Sequence, residues 1–263
     1  MNLFKLKFEF IMKITFAVWT ILTAFTLACN SSPTESANDK DSVKSNSPVE
    51  SRNKVAPNQQ PAFNGQTRVA GIKTHTKIIV SVLAKGLHHP WGLEFMPNGK
   101  LIVSERTGNI RIISPIGEVG KPLANVPPAR QGGDAGLLDL KLDPNFASTR
   151  LIFWSYVQDS GGMGRNIVAR ARLSDDETTL ENVTIIFRGT SPYAGPNHNG
   201  SRMIFDTSGL LYVTFGERFD DSIRLQAQEL NSSLGKIIRI TKDGKAAAGN
   251  PFFGIGPAHI KLS

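Results

Sequence analysis

Little in this sequence marks a metal centre, a nucleic-acid binder or a helical protein. Its 263 residues include a single cysteine, Cys29, which excludes an internal disulfide. His, Cys and carboxylate residues nowhere recur at metal-ligand spacing, so no metal cluster is expected from spacing alone. Basic residues exceed acidic ones by a formal +8, yet they are scattered. None of the nucleic-acid signatures is present, which argues against nucleic acid as a partner. No sustained helical period follows Ile78, which excludes an all-α or a βαβ domain.

What is present divides into three stretches: 1–28, 29–65 and 66–263. "MKITFAVWTILTAFTLAC", Met12 to Cys29, has a basic start, an apolar stretch and small residues before the cysteine, the pattern of a bacterial secretion signal. It is too short and too poorly flanked for a convincing membrane span. "TLAC" resembles a lipobox, with Thr26 where Leu is usual and Leu27 one place late. Lipidation at Cys29 would anchor the chain to a membrane of the cell envelope; an ordinary signal with an incidental cysteine is the alternative. "NSSPTESANDKDSVKSNSPVESRNK", from Asn30, has too few large apolar residues to offset chain entropy and reads as a flexible tether.

The remainder reads as all-β. "LEFMPNGKLIVSER" (Leu93 to Arg106) and "MIFDTSGLLYVTFGER" (Met203 to Arg218) share a template of strand, turn closing on Gly99 or Gly209, and second strand. "LDLKLDPNFASTRLIFWSYV" (Leu138 to Val157) repeats it with a longer turn, and "DPNF" there reads as a turn rather than a calcium loop. Outer strands follow at "NIRIIS", "NIVARARL" and "KIIRIT". Repetition at a period of about fifty residues is the mark of β-propeller blades, of which the length allows about four. A β-sandwich is the competing architecture.

His198 stands in "GPNHNGSR", a turn-forming stretch just ahead of an apolar strand. By residue type it is either a turn residue or a base displayed on a loop, since an imidazole can take up a proton near neutral pH.

"HPWGLEFMPNGKLIVSERTGNIRII", "GLLDLKLDPNF", "NHNGSRMIFDTSGLLYVTFGER", "LGKIIRI" and "DGKAAAGNPF" occur in this order. Together they resemble the soluble pyrroloquinoline quinone (PQQ) dependent aldose sugar dehydrogenases, the glucose/sorbosone dehydrogenase family. The resemblance runs from Leu87 to about Phe252. It implies a six-bladed propeller with PQQ and calcium at one end of its axis, and oxidation of an aldose at C1 to a lactone by hydride transfer to the quinone. His198 matches the family's base. Asn197 stands where relatives carry Asp or Asn, and either orients the ring or simply forms the turn. Glu217 replaces the family's Asp after Gly, one methylene longer, within reach of the sugar or of His198. Asp134 takes the place of an active-site Gln, with Gln131 nearby as a substitute. After "NPF" the sequence reads "FGIGPAHIKLS" instead of the family's "GHRNPQG"-like segment, whose Arg and Asn hold PQQ. No residue is therefore assigned to the cofactor, and the expectation is an incomplete ring of impaired activity whose open edge strands favour aggregation or a homodimer. A lipid-tethered, non-catalytic propeller is the alternative function.

Overall fold

The structure is a computed structural model, which describes residues 76–251 continuously, short pieces at 52–53, 56, 58–66 and 70–72, and the backbone of 260–261. The signal, Cys29, most of the tether, His75 and His259 lie outside the described residues. The chain divides into two units, 1–79 and 80–263, and the strands belong to the second.

Three antiparallel meanders build that unit. The first comprises β1 (Pro90–Phe95), β2 (Leu101–Glu105) and β3 (Asn109–Ile113). The second comprises β4 (Leu137–Leu142), β5 (Leu151–Ser160), β6 (Met163–Leu173) and β7 (Leu180–Arg188), with a one-turn helix α1 (Phe146–Thr149) between β4 and β5. The third comprises β8 (Gly200–Phe205), β9 (Leu211–Phe215), β10 (Ile237–Ile240) and β11 (Ile260–Lys261). Each strand pairs with its sequence neighbour, and each sheet packs on the next through its first strand, the blade-on-blade arrangement of a β-propeller. Division by length predicts about four blades, whereas the described residues form three sheets. The loops at 114–136, 189–199 and 216–236 account for the difference.

Turn chemistry explains the hairpins. Gly99 and Gly209 sit at φ 80° and 77°, and their N–H groups donate to Met96 O and Asp206 O, so both turns close alike. "DPNF" is indeed a hairpin turn: Asp143 Oδ1 accepts the Asn145 N–H at 2.7 Å and pairs with Lys242 Nζ at 2.8 Å.

Strand alternation then sorts the core. On β5, Ile152, Trp154 and Tyr156 face the first sheet, where they meet Met96, Ile102 and Ile110. Phe153 points the other way, as does Val168 of β6, into the third sheet's Met203, Leu211, Val213 and Ile238. The middle sheet is thus buried on both faces, and each such large apolar side chain contributes roughly 1.5–3 kcal/mol.

One irregularity recurs in all three sheets. Each first strand carries a bulge in which two residues oppose one: Trp91 and Gly92 oppose Ser104, Leu138 and Asp139 oppose Ser155, Ser201 and Arg202 oppose Thr214. A bulge frees a backbone N–H, and here a hydroxyl takes it up each time. Gly92 N donates to Ser104 Oγ at 2.9 Å, Asp139 N to Ser155 Oγ at 3.1 Å, and Arg202 N to Thr214 Oγ1 at 3.1 Å. Ser104 and Ser155 pass their own protons across to the next sheet, to Leu138 O and Ser201 O. The same device therefore closes each bulge and ties adjacent sheets.

Candidate active site

Three loops meet where the first strands begin: 130–136 before β4, 189–199 before β8, and 216–223 after β9. Their contact is close. Gly133 lies so near Asn197 that a Cβ there would stand 2.3 Å from Asn197 Oδ1, and the Asp134 N–H donates to Pro196 O at 3.2 Å.

His198 projects from the second loop at φ 44°, its side chain 46% exposed. Its backbone N–H donates to Asp134 Oδ2 at 2.9 Å. Its ring Nδ1 lies 3.0 and 3.2 Å from the Glu217 carboxylate oxygens, and Phe219 lies against the ring at a centroid distance of 4.5 Å. Burial pushes the Glu217 carboxyl up, but its own and the Phe219 N–H groups, with His198, outweigh burial and hold it below the usual carboxylate range. An ionised carboxylate can only accept. Nδ1 therefore carries a proton, and in the neutral ring Nε2 keeps its lone pair and can act as a base.

Of the residues singled out in the sequence, His198, Glu217 and Asp134 come together, with Glu217 on the ring and Asp134 on the backbone. Asn197 is exposed, and it is Glu217 that engages the ring nitrogen. Gln131 Nε2 donates to Arg106 O in the β2–β3 turn and to Ala129 O, so its NH2 group is spent on backbone carbonyls. Phe219 and Arg218 escaped the reading of the sequence. An aromatic directly after "GER", inside the polar stretch "RFDDS", is the signal that could have found Phe219. Among the described residues no group of three or more His, Cys, Asp or Glu is placed to hold a metal ion.

A family model, Glucose / Sorbosone dehydrogenase, matches residues 87–260, the stretch that contains β1 to β10 and the His198–Glu217 pair. The chain belongs to the glucose/sorbosone dehydrogenase family. It is 37% identical over 176 residues to the aldose sugar dehydrogenase YliI of Escherichia coli (strain K12), covering 66% of this chain and 46% of that protein. The apo-form structure of the soluble aldose sugar dehydrogenase from Escherichia coli superposes at a TM-score of 0.64 with 34% identity, over 68% of this chain and 52% of the other. The PQQ-bound form of aldose sugar dehydrogenase from Streptomyces coelicolor gives 0.60 and 31%, over 70% and 52%. The chain thus spans about half the length of the relatives it matches. The His198 loop opens the third sheet, and the His198–Glu217 pair sits at the rim formed by the starts of the first strands.

Proposed function

We propose that this chain carries the proton-transfer side of a PQQ-dependent aldose oxidation. The observation that supports the reading is the His198–Glu217 pair, because it fixes the tautomer that makes an exposed imidazole a base. Nε2 takes the C1 hydroxyl proton of the sugar as the C1–H bond breaks, and the product is the lactone. PQQ, when bound, supplies the acceptor for the hydride. The Glu217 carboxylate stabilises the imidazolium that results, and Asp134 fixes the loop from behind.

The residues present fit an anionic quinone along one side. Arg106 donates to Gly133 O, next to Asn197, and its guanidinium is one cation on this rim suited to a PQQ carboxylate, beside the carboxylates of Asp134 and Glu217. Calcium is expected from the family, and no step here uses it.

The test is dye reduction with aldoses by the purified chain supplied with PQQ and calcium. His198→Ala should lower the rate by about 10²- to 10⁴-fold. Activity unaffected by His198→Ala would remove the base, and a wild-type chain that binds an aldose without oxidising it would favour a non-catalytic propeller.

We further propose attachment to the cell envelope through a lipid on Cys29, supported by the "TLAC" stretch after an apolar segment. Expressed in a bacterium fed labelled palmitate, the full chain should take up label and the Cys29→Ala chain none; equal labelling would refute the anchor.

A further inference from the structure

Directly behind the His198–Glu217 pair lies a side chain that a simple strand-ending turn does not require. Arg218 is 2% exposed. Its guanidinium donates to Asn199 Oδ1, to Asn166 Oδ1 on β6, and to Gly164 O at 3.4 Å. No carboxylate pairs with it among the described residues, and its Nε has no partner. Burial, with Arg130 close by as a second cation, lowers it to about 10. A buried cation held only by neutral acceptors is costly.

Its place in the chain shows what that cost achieves. Arg218 is covalently joined to Glu217 and Phe219, the two residues that touch the His198 ring. Through its guanidinium it grips Asn199, the residue after His198, and its own N–H donates to His198 O at 3.4 Å. Asn166 supplies the fixed point. It sits on β6 in the doubly covered middle sheet, and its Nδ2 also donates to Asn199 O at 2.9 Å and to Ser201 Oγ at 3.2 Å. One guanidinium thus binds both halves of the pair to a rigid strand.

The backbone needs such a clamp. His198, Ser201, Arg218 and Phe219 all adopt positive φ, at 44°, 82°, 78° and 54°. Non-glycine residues enter that region only at a cost in backbone strain and stay there only when their surroundings hold them.

We propose that Arg218 is the positioning residue of the site: it locks the His198 loop against the Glu217 turn and β6, so that Glu217 holds Nδ1 and Nε2 stays open to a substrate proton. The proposal rests on His198 being the base. Lysine cannot replace it, because a point charge on a flexible stem does not bridge two amide oxygens in a fixed plane.

The experiment reads the tautomer of His198 directly, with no cofactor bound. The full chain is labelled with ¹⁵N-histidine, and the ring nitrogens are observed by long-range ¹H–¹⁵N correlation in mildly alkaline buffer, His198 being assigned by its loss in His198→Gln. The wild type should show Nδ1 protonated and Nε2 bare. Arg218→Lys and Arg218→Met should shift the population toward the Nε2–H form that an unpartnered imidazole prefers, as Glu217→Ala does. Asn166→Ala, which keeps the arginine and removes its anchor, should move part of the way and serves if the Arg218 variants do not fold. In the PQQ-loaded protein kcat should drop about 10- to 100-fold while KM for the aldose is little changed. Retention of the wild-type tautomer in both Arg218 variants, or in Asn166→Ala if neither folds, would overturn the proposal. A wild-type chain with the expected tautomer but no sugar oxidation would instead count against the function proposed above and leave Arg218 in its role.

Discussion

At the scale of single residues, Glu105 shows how donors make a buried charge tolerable in this fold. Glu105 is fully buried at the end of β2, and accepts from His88 N at 2.8 Å, Asn109 Nδ2 at 2.9 Å and Arg111 Nε at 2.9 Å. Burial pushes its carboxyl up, but those donors outweigh burial and hold it below the ordinary 4.5. A depressed carboxylate contributes stability that is present above its unfolded pKa and is lost as pH falls through the folded one. Glu105→Gln should therefore cost on the order of 2 kcal/mol at neutral pH. Its unfolding midpoint in urea should approach that of the wild type as the pH is taken below about 4.5. Parallel curves across that range would show that the carboxylate is not the group responsible. His198 itself was legible from its turn and its family motif. Glu217 was read there too, as a residue within reach of His198, whereas Phe219 was not, because only the pairing of β8 with β9 brings the "GERF" turn beside "NHNG".

At the scale of elements, the hairpins could be read because their turns use glycine at positive φ between alternating strands. β7 could not: "LENVTIIFR" alternates imperfectly, and its pairing with β6 breaks register twice. The bulges were also hidden, although a trace exists in "LIVSE", "FWSYV" and "LYVTF", each with a hydroxyl residue set among apolar ones. Ser155, like Ser104, serves a backbone N–H in its own sheet and a carbonyl in the next, here Asp139 N and Ser201 O, and is fully buried. Ser155→Ala leaves both groups without that partner and should destabilise the fold by roughly 2–3 kcal/mol in denaturant unfolding. Because Ser201 lies three residues from His198, the variant should also lower activity beyond its effect on the folded fraction. A change under about 0.5 kcal/mol would mean that the bulges are held by packing alone.

At the scale of the whole molecule, sheet-on-sheet packing supplies the core and the loops at the starts of the first strands bring the candidate site residues together. Trp154 and Tyr156 on one face of the middle sheet and Phe153 on the other fix the spacing of the sheets. That spacing brings loop 130–136 against loop 189–199 and gives the His198 N–H its carboxylate acceptor. The blade repeat could be read from the sequence, while the number of sheets could not, because loop length is not set by hydrophobic pattern. The central claim is that His198 takes the sugar proton as the C1–H bond breaks. It is tested most directly by the rate at which an aldose, with hydrogen or deuterium at C1, reduces the PQQ-loaded chain in a single turnover. The account predicts a rate that is slower with deuterium and falls by about 10²-fold or more in His198→Gln. A rate indifferent to both the isotope and the substitution would contradict it.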